Sequence, residues 1–224
     1  MKTVFEGDIL NVLSVENGLV IAYACKKEDD GVLNIAYKMV TFEDGKLTNV
    51  PGSLYYISKF GPAFGEIKQK IKVPLACKSV ILQNGKVFSL EADGAATLFD
   101  TDGVTIWKGT LSYKGATPSG IAVNNRSVWV CYRESNVLIR LNLLTMKEEL
   151  RIGGGEASPF KEPIDLFTDN DNIFVCTKEK SIIKVNLNTY VTEEYKTFEE
   201  PVLQYIKNGS YEFAVLQNGV YLID

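Results

Sequence analysis

The chain has 224 residues, of which 46% are hydrophobic and 23% are charged, and its formal net charge is -4 at pH 7. This composition is typical of one globular domain with a substantial core, and it excludes wholesale disorder. The acidic excess offers no electrostatic surface for a phosphate backbone, and the longest apolar run, Gly18 to Ala24, is too short to span a bilayer. We therefore expect neither nucleic acid nor a membrane as a partner.

The N-terminal third contains one short predicted strand followed by a larger predicted unit. Thr, Val and Phe in the centre of Lys2 to Glu6 predict the short strand, and Leu10 to Val50 contains β-branched and aromatic runs typical of several strands. Residues 51–76 fit no complete unit. We expect them to form an outer hairpin or an insertion, with a further sheet beginning at Leu54 to Ser58 as the alternative.

A second unit is predicted between Val80 and Lys108. It consists of four short runs rich in apolar residues, and two of its turns contain Asn84-Gly85 and Asp102-Gly103. Such pairs are typical of tight hairpins, because glycine and the Asx residues tolerate a positive φ. The segment therefore predicts four short antiparallel strands.

The next two units repeat each other. Residues 128–134 (Val-Trp-Val-Cys-Tyr-Arg-Glu) align with residues 173–179 at an offset of 45, and residues 139–145 align with 183–189 after a one-residue gap. Seven of these fourteen aligned positions are identical. A four-stranded unit repeated at about this period indicates a β-propeller, an all-β fold in which sheets are arranged radially.

The last copy, Val202 to Asp224, ends where the third strand of a unit should end. The segment Lys2 to Glu6 resembles Lys196 to Glu199, which occupies the fourth strand of the preceding copy. We expect the N-terminal strand to complete the last sheet and close the ring, which protects an otherwise open edge. Five blades are predicted, because first strands are expected near Leu10, Val80, Ile121, Leu166 and Leu203. If the run Leu54 to Ser58 is counted as the first strand of a further blade, the number is six.

The best copies resemble a known family of repeats. The residues that carry this resemblance are Gly153-Gly154-Gly155, Phe160, Pro163, Ile173-Phe174-Val175 and Ile182-Ile183-Lys184. They resemble the NHL repeat, and the segment Pro118 to Phe198 is similar to the related SMP-30/gluconolactonase-type propellers. The resemblance implies a propeller, and its relatives range from binding scaffolds to metal-dependent lactonases.

The four cysteines are widely spaced and form no C-x-x-C pair. We expect reduced thiols and a cytoplasmic protein. Three of the four fall at the same repeat position, near the end of a second strand, which favours a structural role in the core. They are Cys25, Cys131 and Cys176, and the fourth is Cys77.

Catalytic groups are scarce. The chain contains no histidine, which excludes Ser-His-Asp and Cys-His mechanisms. The acidic pairs at residues 100–102 and 169–171 fail as calcium loops, because Val104 and Ile173 stand where an oxygen ligand is needed. We expect these carboxylates to stabilise turns, in the same way as Asn142 and Asn186 after a third strand.

Charged or polar residues follow several of the predicted second strands. Because loops between second and third strands share one face of a propeller, we expect a ring of alternating charge around the channel mouth. The solvated-turn interpretation of the same residues remains open. The candidate ligand-binding residues are Lys27, Glu28, Glu91, Arg133, Glu134, Lys178, Glu179 and Gln217.

Two functions follow from these patterns. The first is a non-catalytic binding or scaffold module, monomeric and without a cofactor, that binds a partner protein or a small polar ligand. The alternative is a metal-dependent hydrolase of the SMP-30/lactonase kind. Its divalent ion would take oxygen ligands from several blades, such as Glu16, Glu28, Asn124 and Asp165.

Overall fold

The computed structural model describes residues 1–15, 18–26, 33–43, 46–49, 55–57, 78–82, 84–124, 127–169 and 171–223. Within these ranges the chain forms strands and turns and contains no helix, so none of them holds a helix that could cross a membrane. The predicted all-β class is confirmed.

The described residues form 21 strands. In chain order these are β1 (Lys2–Glu6), β2 (Asp8–Val15), β3 (Gly18–Lys26), β4 (Leu33–Glu43), β5 (Lys46–Asn49), β6 (Tyr55–Ile57), β7 (Lys78–Ile81), β8 (Val87–Leu90), β9 (Ala95–Phe99), β10 (Thr105–Thr110), β11 (Gly120–Asn124), β12 (Ser127–Tyr132), β13 (Val137–Asn142), β14 (Glu148–Gly153), β15 (Pro163–Thr168), β16 (Asn172–Thr177), β17 (Ser181–Asn186), β18 (Thr192–Thr197), β19 (Gln204–Asn208), β20 (Tyr211–Leu216) and β21 (Gly219–Ile223).

The strands pair into five antiparallel sheets, as expected for a five-bladed β-propeller. Four sheets are meanders of consecutive strands, namely β2 to β5, β7 to β10, β11 to β14 and β15 to β18. The fifth consists of β19, β20 and β21, with β1 as its outermost strand. The five-blade alternative is confirmed, because the run near Leu54 adds β6 to the first sheet, beside β4. The rest of residues 51–76 lies outside the described ranges.

The turns use the Asx chemistry that the sequence predicts. Asn142 Oδ1 accepts backbone N–H groups of Leu144 and Thr145 at 3.0 and 3.1 Å, and Asn186 Oδ1 makes the equivalent bonds at 3.0 and 2.9 Å. Asp100 Oδ1 accepts two such bonds in the β9–β10 turn, at 3.0 and 2.7 Å. These side chains therefore stabilise the hairpins.

The chain forms two compact units. The first comprises Met1–Glu91, Thr97–Lys108 and Ile206–Asp224, and its core includes Ile21, Phe213 and Val220. Strand β1 pairs with β21 from Lys2↔Leu222 to Glu6↔Gly219, which confirms that the N-terminal strand completes the last sheet. Its Val4 and Phe5 are only partly buried.

The second unit comprises Ala92–Ala96 and Gly109–Tyr205. Sheets β11–β14 and β15–β18 pack face to face around Trp129, Phe160 and Val175. The central strands β12 and β16 are apolar on both faces, and Cys131 and Cys176 at their ends are 0% exposed, as predicted. This packing leaves the turns and the exposed outer strands β14 and β18 for polar groups.

Candidate functional site

The predicted site residues fall into three groups. Lys27 and Glu28 lie outside the described residues. Glu91 and Gln217 belong to the first unit, where they are exposed just after β8 and β20. The remaining four belong to the second unit and lie in two equivalent turns, β12–β13 and β16–β17; they are Arg133, Glu134, Lys178 and Glu179.

In each of these two turns, the basic residue directly follows the last buried residue of the second strand. Tyr132 and Thr177, the last residues of β12 and β16, are 3% and 1% exposed, and the next residue in each case is the basic one. Each turn then uses a residue with positive φ, Asn136 at 50° and Lys180 at 66°, to lead into the third strand. The repeat therefore places Arg133 and Lys178 equivalently on neighbouring sheets.

One carboxylate joins these two bases. Arg133 donates from Nε and Nη2 to Glu162 Oε1 at 3.2 and 3.1 Å, and Lys178 Nζ donates to the same oxygen at 3.3 Å. The side chains of Arg133, Glu162 and Lys178 are 43%, 46% and 51% exposed. The structure thus brings Arg133 and Lys178 to one half-exposed anion that links two sheets.

The two bases change the ionisation of Glu162. The hydrogen bond from Arg133, with a further contribution from Lys178, lowers the pKa of the Glu162 carboxyl below its ordinary value of 4.5. The direction is that expected for a carboxylate beside opposite charges. Glu162 is therefore negatively charged at neutral pH.

The loop that carries Glu162 is fixed by Asn136. The Asn136 backbone oxygen accepts the Gly154 N–H at 2.9 Å and the Ser158 hydroxyl at 2.8 Å, and its Oδ1 accepts the Glu162 N–H at 2.7 Å. Phe160, 2% exposed, anchors the same loop in the core between the sheets. The Glu162 backbone, at φ 44°, is thus held against the β12–β13 turn.

A second ion pair flanks this arrangement. Lys161 Nζ lies 3.7 Å from Glu179 Oε1, and both side chains are more than half exposed. Glu134 is exposed in the neighbouring turn. We use the name charged-turn cluster for Arg133, Lys161, Glu162, Lys178 and Glu179.

Glu162 is not among the site residues that the sequence predicts. The repeat aligns Pro163 with Pro118, so the position equivalent to Glu162 is Thr117, which carries no charge. A residue before proline is also expected to be extended, whereas Glu162 has a positive φ. The charge pattern Lys161-Glu162 was the only available signal, and it does not distinguish a bridging carboxylate from a solvated one.

The proposed metal ligands are not brought together among the described residues. Glu16 and Glu28 lie outside those residues, and Asp165 is 4% exposed against Gly120 at the start of β11. Asn124 is four residues further along that strand, or about 13 Å at ~3.3 Å per residue, and it donates to the Asp169 carbonyl at 3.0 Å. In the described part of the chain, no group of three or more His, Cys, Asp or Glu residues is placed to hold a metal ion.

No known family profile matches the sequence, and no curated protein sequence matches it. Solved structures do match. Virginiamycin B lyase from Staphylococcus aureus, in a catalytically inactive form with quinupristin, aligns over 95% of this chain and 92% of its own, with a TM-score of 0.54 and 10% identity. Sqt1 from Saccharomyces cerevisiae aligns over 94% of this chain and 71% of its own, with a TM-score of 0.54 and 10% identity. Both are β-propeller proteins.

The fold is a β-propeller. At these identities the likeness extends to the fold alone. A hydrazine synthase chain from Kuenenia stuttgartiensis aligns over 65% of this chain, with a TM-score of 0.49 and 14% identity, and this chain spans 45% of its length. The NHL-like resemblance of the sequence agrees with a β-propeller family, whereas membership of the SMP-30 type remains a prediction.

Proposed function

We propose that this protein is a non-catalytic binding module and that the charged-turn cluster of its second unit is the surface that contacts a partner protein or a small polar ligand. The observation that carries the proposal is the bridging carboxylate of Glu162, which holds Arg133 and Lys178 from two sheets in one half-exposed arrangement. Binding residues are commonly found on loops that a rigid scaffold positions.

The geometry of the cluster supports a role outside folding. Exposed ion pairs contribute little to stability, about 0 to 1 kcal/mol each. The core of the unit is instead supplied by apolar side chains such as Trp129, Phe160 and Val175. The loop that carries Glu162 is fixed in the core, while side chains of both charges are exposed beside it. Such a surface is suited to specific recognition of polar ligands.

The experiment is a comparative capture. The immobilised protein is incubated with an extract of the organism that produces it, and retained proteins and small molecules are quantified by mass spectrometry. The test variant is Arg133→Glu/Lys178→Glu. The matched control is Lys108→Glu/Lys147→Glu, which changes the net charge equally at two exposed lysines outside the cluster.

We expect species that the wild-type protein and the control variant retain and that the test variant loses. A set of retained species that is identical for the two variants, or empty for the wild-type protein, would overturn the proposal. Circular dichroism of both variants ensures that loss of binding is not loss of fold.

The metal-dependent hydrolase is separated from the binding module by elemental analysis of the purified protein. One divalent ion per chain would favour the hydrolase over the binding module. A reducing compartment such as the cytoplasm is part of the same proposal, supported by the burial of the Cys131 and Cys176 thiols in the core.

A further inference from the structure

The charged-turn cluster contains more positive than negative charge around its central carboxylate. Arg133 and Lys178 both donate to one oxygen of Glu162, Oε1, so a single negative charge faces two positive ones. Lys180 is exposed two residues after Lys178 and adds a further positive charge in the same turn. Across the two turns and the Glu162 loop, four positive side chains (Arg133, Lys161, Lys178 and Lys180) face three negative ones (Glu134, Glu162 and Glu179), so this surface has a small net positive charge although the whole chain is acidic.

The two bases at this centre have more hydrogen-bond donors than Glu162 uses. Arginine has five N–H donors and a lysine ammonium has three. Within the part of the chain that the structure describes, Arg133 uses Nε and Nη2 on Glu162, and its Nη1 has no protein acceptor. Because the guanidinium fork matches a carboxylate, a second carboxylate can bind here beside Glu162 or in its place.

We propose that Arg133 and Lys178 bind carboxylates of an acidic peptide segment presented by a partner protein, with Glu162 as an internal competitor that lowers the affinity. This inference rests on the proposed function and names the chemistry of the ligand. A peptide fits better than a free small carboxylate, because the cluster is half-exposed and a single contact there is weak. Several carboxylates on one chain can engage Arg133, Lys178 and Lys180 together.

The position of Glu162 supports its role as a competitor. Its backbone is fixed by hydrogen bonds to Asn136 Oδ1 at 2.7 Å and from the Lys178 N–H at 3.1 Å, independently of its carboxylate. The backbone of the loop therefore positions the carboxylate beside the two bases, and the carboxylate is not needed to hold the loop in place. Removing its charge should leave the loop intact and the bases available.

The test is fluorescence anisotropy with a labelled hexaglutamate peptide at low ionic strength. Glu162→Gln should tighten binding by about threefold or more, and Arg133→Gln/Lys178→Gln should weaken it by about tenfold, in line with charge-pair energies at half-exposed sites. The matched control is Glu193→Gln. Glu193 pairs with Lys184 at 2.8 Å in the β17–β18 hairpin, so its loss changes the net charge equally outside the cluster.

The remaining probes identify the source of the carboxylate. Free glutarate, added as a competitor, should displace the peptide only at far higher concentration, and labelled hexalysine should not bind. Equal effects of Glu162→Gln and Glu193→Gln would show that only net charge matters and would overturn the inference, as would hexaglutamate binding that does not depend on Arg133 and Lys178. If the wild-type protein does not bind hexaglutamate, this inference fails, but the capture experiment can still show that Arg133 and Lys178 bind another ligand. Failure of this inference is therefore distinguishable from failure of the proposed function.

Discussion

The ring of Phe5 packs against the ring of Tyr23 with their centroids 4.6 Å apart. Phe5 lies on β1, which completes the last sheet, and Tyr23 lies on β3 of the first, so this contact joins the two ends of the repeat within the first unit. Lys38 Nζ lies 5.3 Å from the centre of the same Phe5 ring. The N-terminal strand is therefore integrated into the fold on both sides.

Deletion of Met1 to Glu6 should destabilise the protein by far more than the ~0.5 kcal/mol typical of a surface change, because it exposes the β21 edge and removes the Phe5–Tyr23 contact. Phe5→Ala should cost about 2 kcal/mol, less than for a fully buried ring, because Phe5 is only partly buried. Denaturant unfolding measures both, with Thr3→Ala at an exposed position of the same strand as the control. Equal midpoints and slopes for the deletion variant and the full chain would contradict this assignment.

The ionisation of Glu162 should depend on its two bases. The folded-state pKa lies below the ordinary value of 4.5, so the pairing contributes stability above that value and loses it as the pH falls through the folded pKa. NMR titration of the Glu162 carboxyl should give a lowered pKa in the wild-type protein and a value near 4.5 in Arg133→Gln/Lys178→Gln. The same pKa in both proteins would show that the ion pairs do not form in solution.

Cys131 and Cys176 should react slowly with thiol reagents in the native protein, because both are 0% exposed. The experiment uses a Cys25→Ser/Cys77→Ser background, so that only the two described thiols are followed. Labelling should become fast on addition of denaturant. Native labelling at the rate of a free thiol would place these side chains outside the core.

Gly120→Ala should destabilise the second unit by about 1 to 3 kcal/mol through overpacking. A Cβ at this position would collide with the Asp165 Cα and Oδ1 atoms and crowd the Ile164 carbonyl. Chemical denaturation should show the loss, with Ser112→Ala at an exposed position as the control. An unchanged midpoint would mean that β11 and β15 approach each other less closely.

Much of the fold was predictable because it repeats. The alignment of Asn142 with Asn186 and of Cys131 with Cys176 predicts the strands, the turns and the buried positions of two sheets. The likeness of Lys2–Glu6 to a fourth strand predicted the closing pair with β21. Within the four sheets of consecutive strands local signals sufficed, because each strand there pairs with its neighbours in the chain, whereas the long-range β1–β21 pair was predicted from the likeness to a fourth strand.

The site was less predictable for the same reason. The repeat identified Arg133 and Lys178, but their partner Glu162 replaces a threonine of the preceding unit, so no periodic signal marked it. Its position depends on Asn136 and Phe160, that is, on contacts across 26 residues and on the packing between two sheets. Such tertiary contacts are not encoded in a local pattern.

The free energy of unfolding of Arg133→Gln/Lys178→Gln tests whether the charged-turn cluster is dispensable for folding, as a surface that serves binding should be. We predict a change of at most about 1 kcal/mol at neutral pH, since all three side chains of the bridge are half-exposed. A loss of about 3 kcal/mol or more, as for the breaking of a buried ion pair, would show that the bridge is a structural element and would contradict the assignment of this surface to recognition.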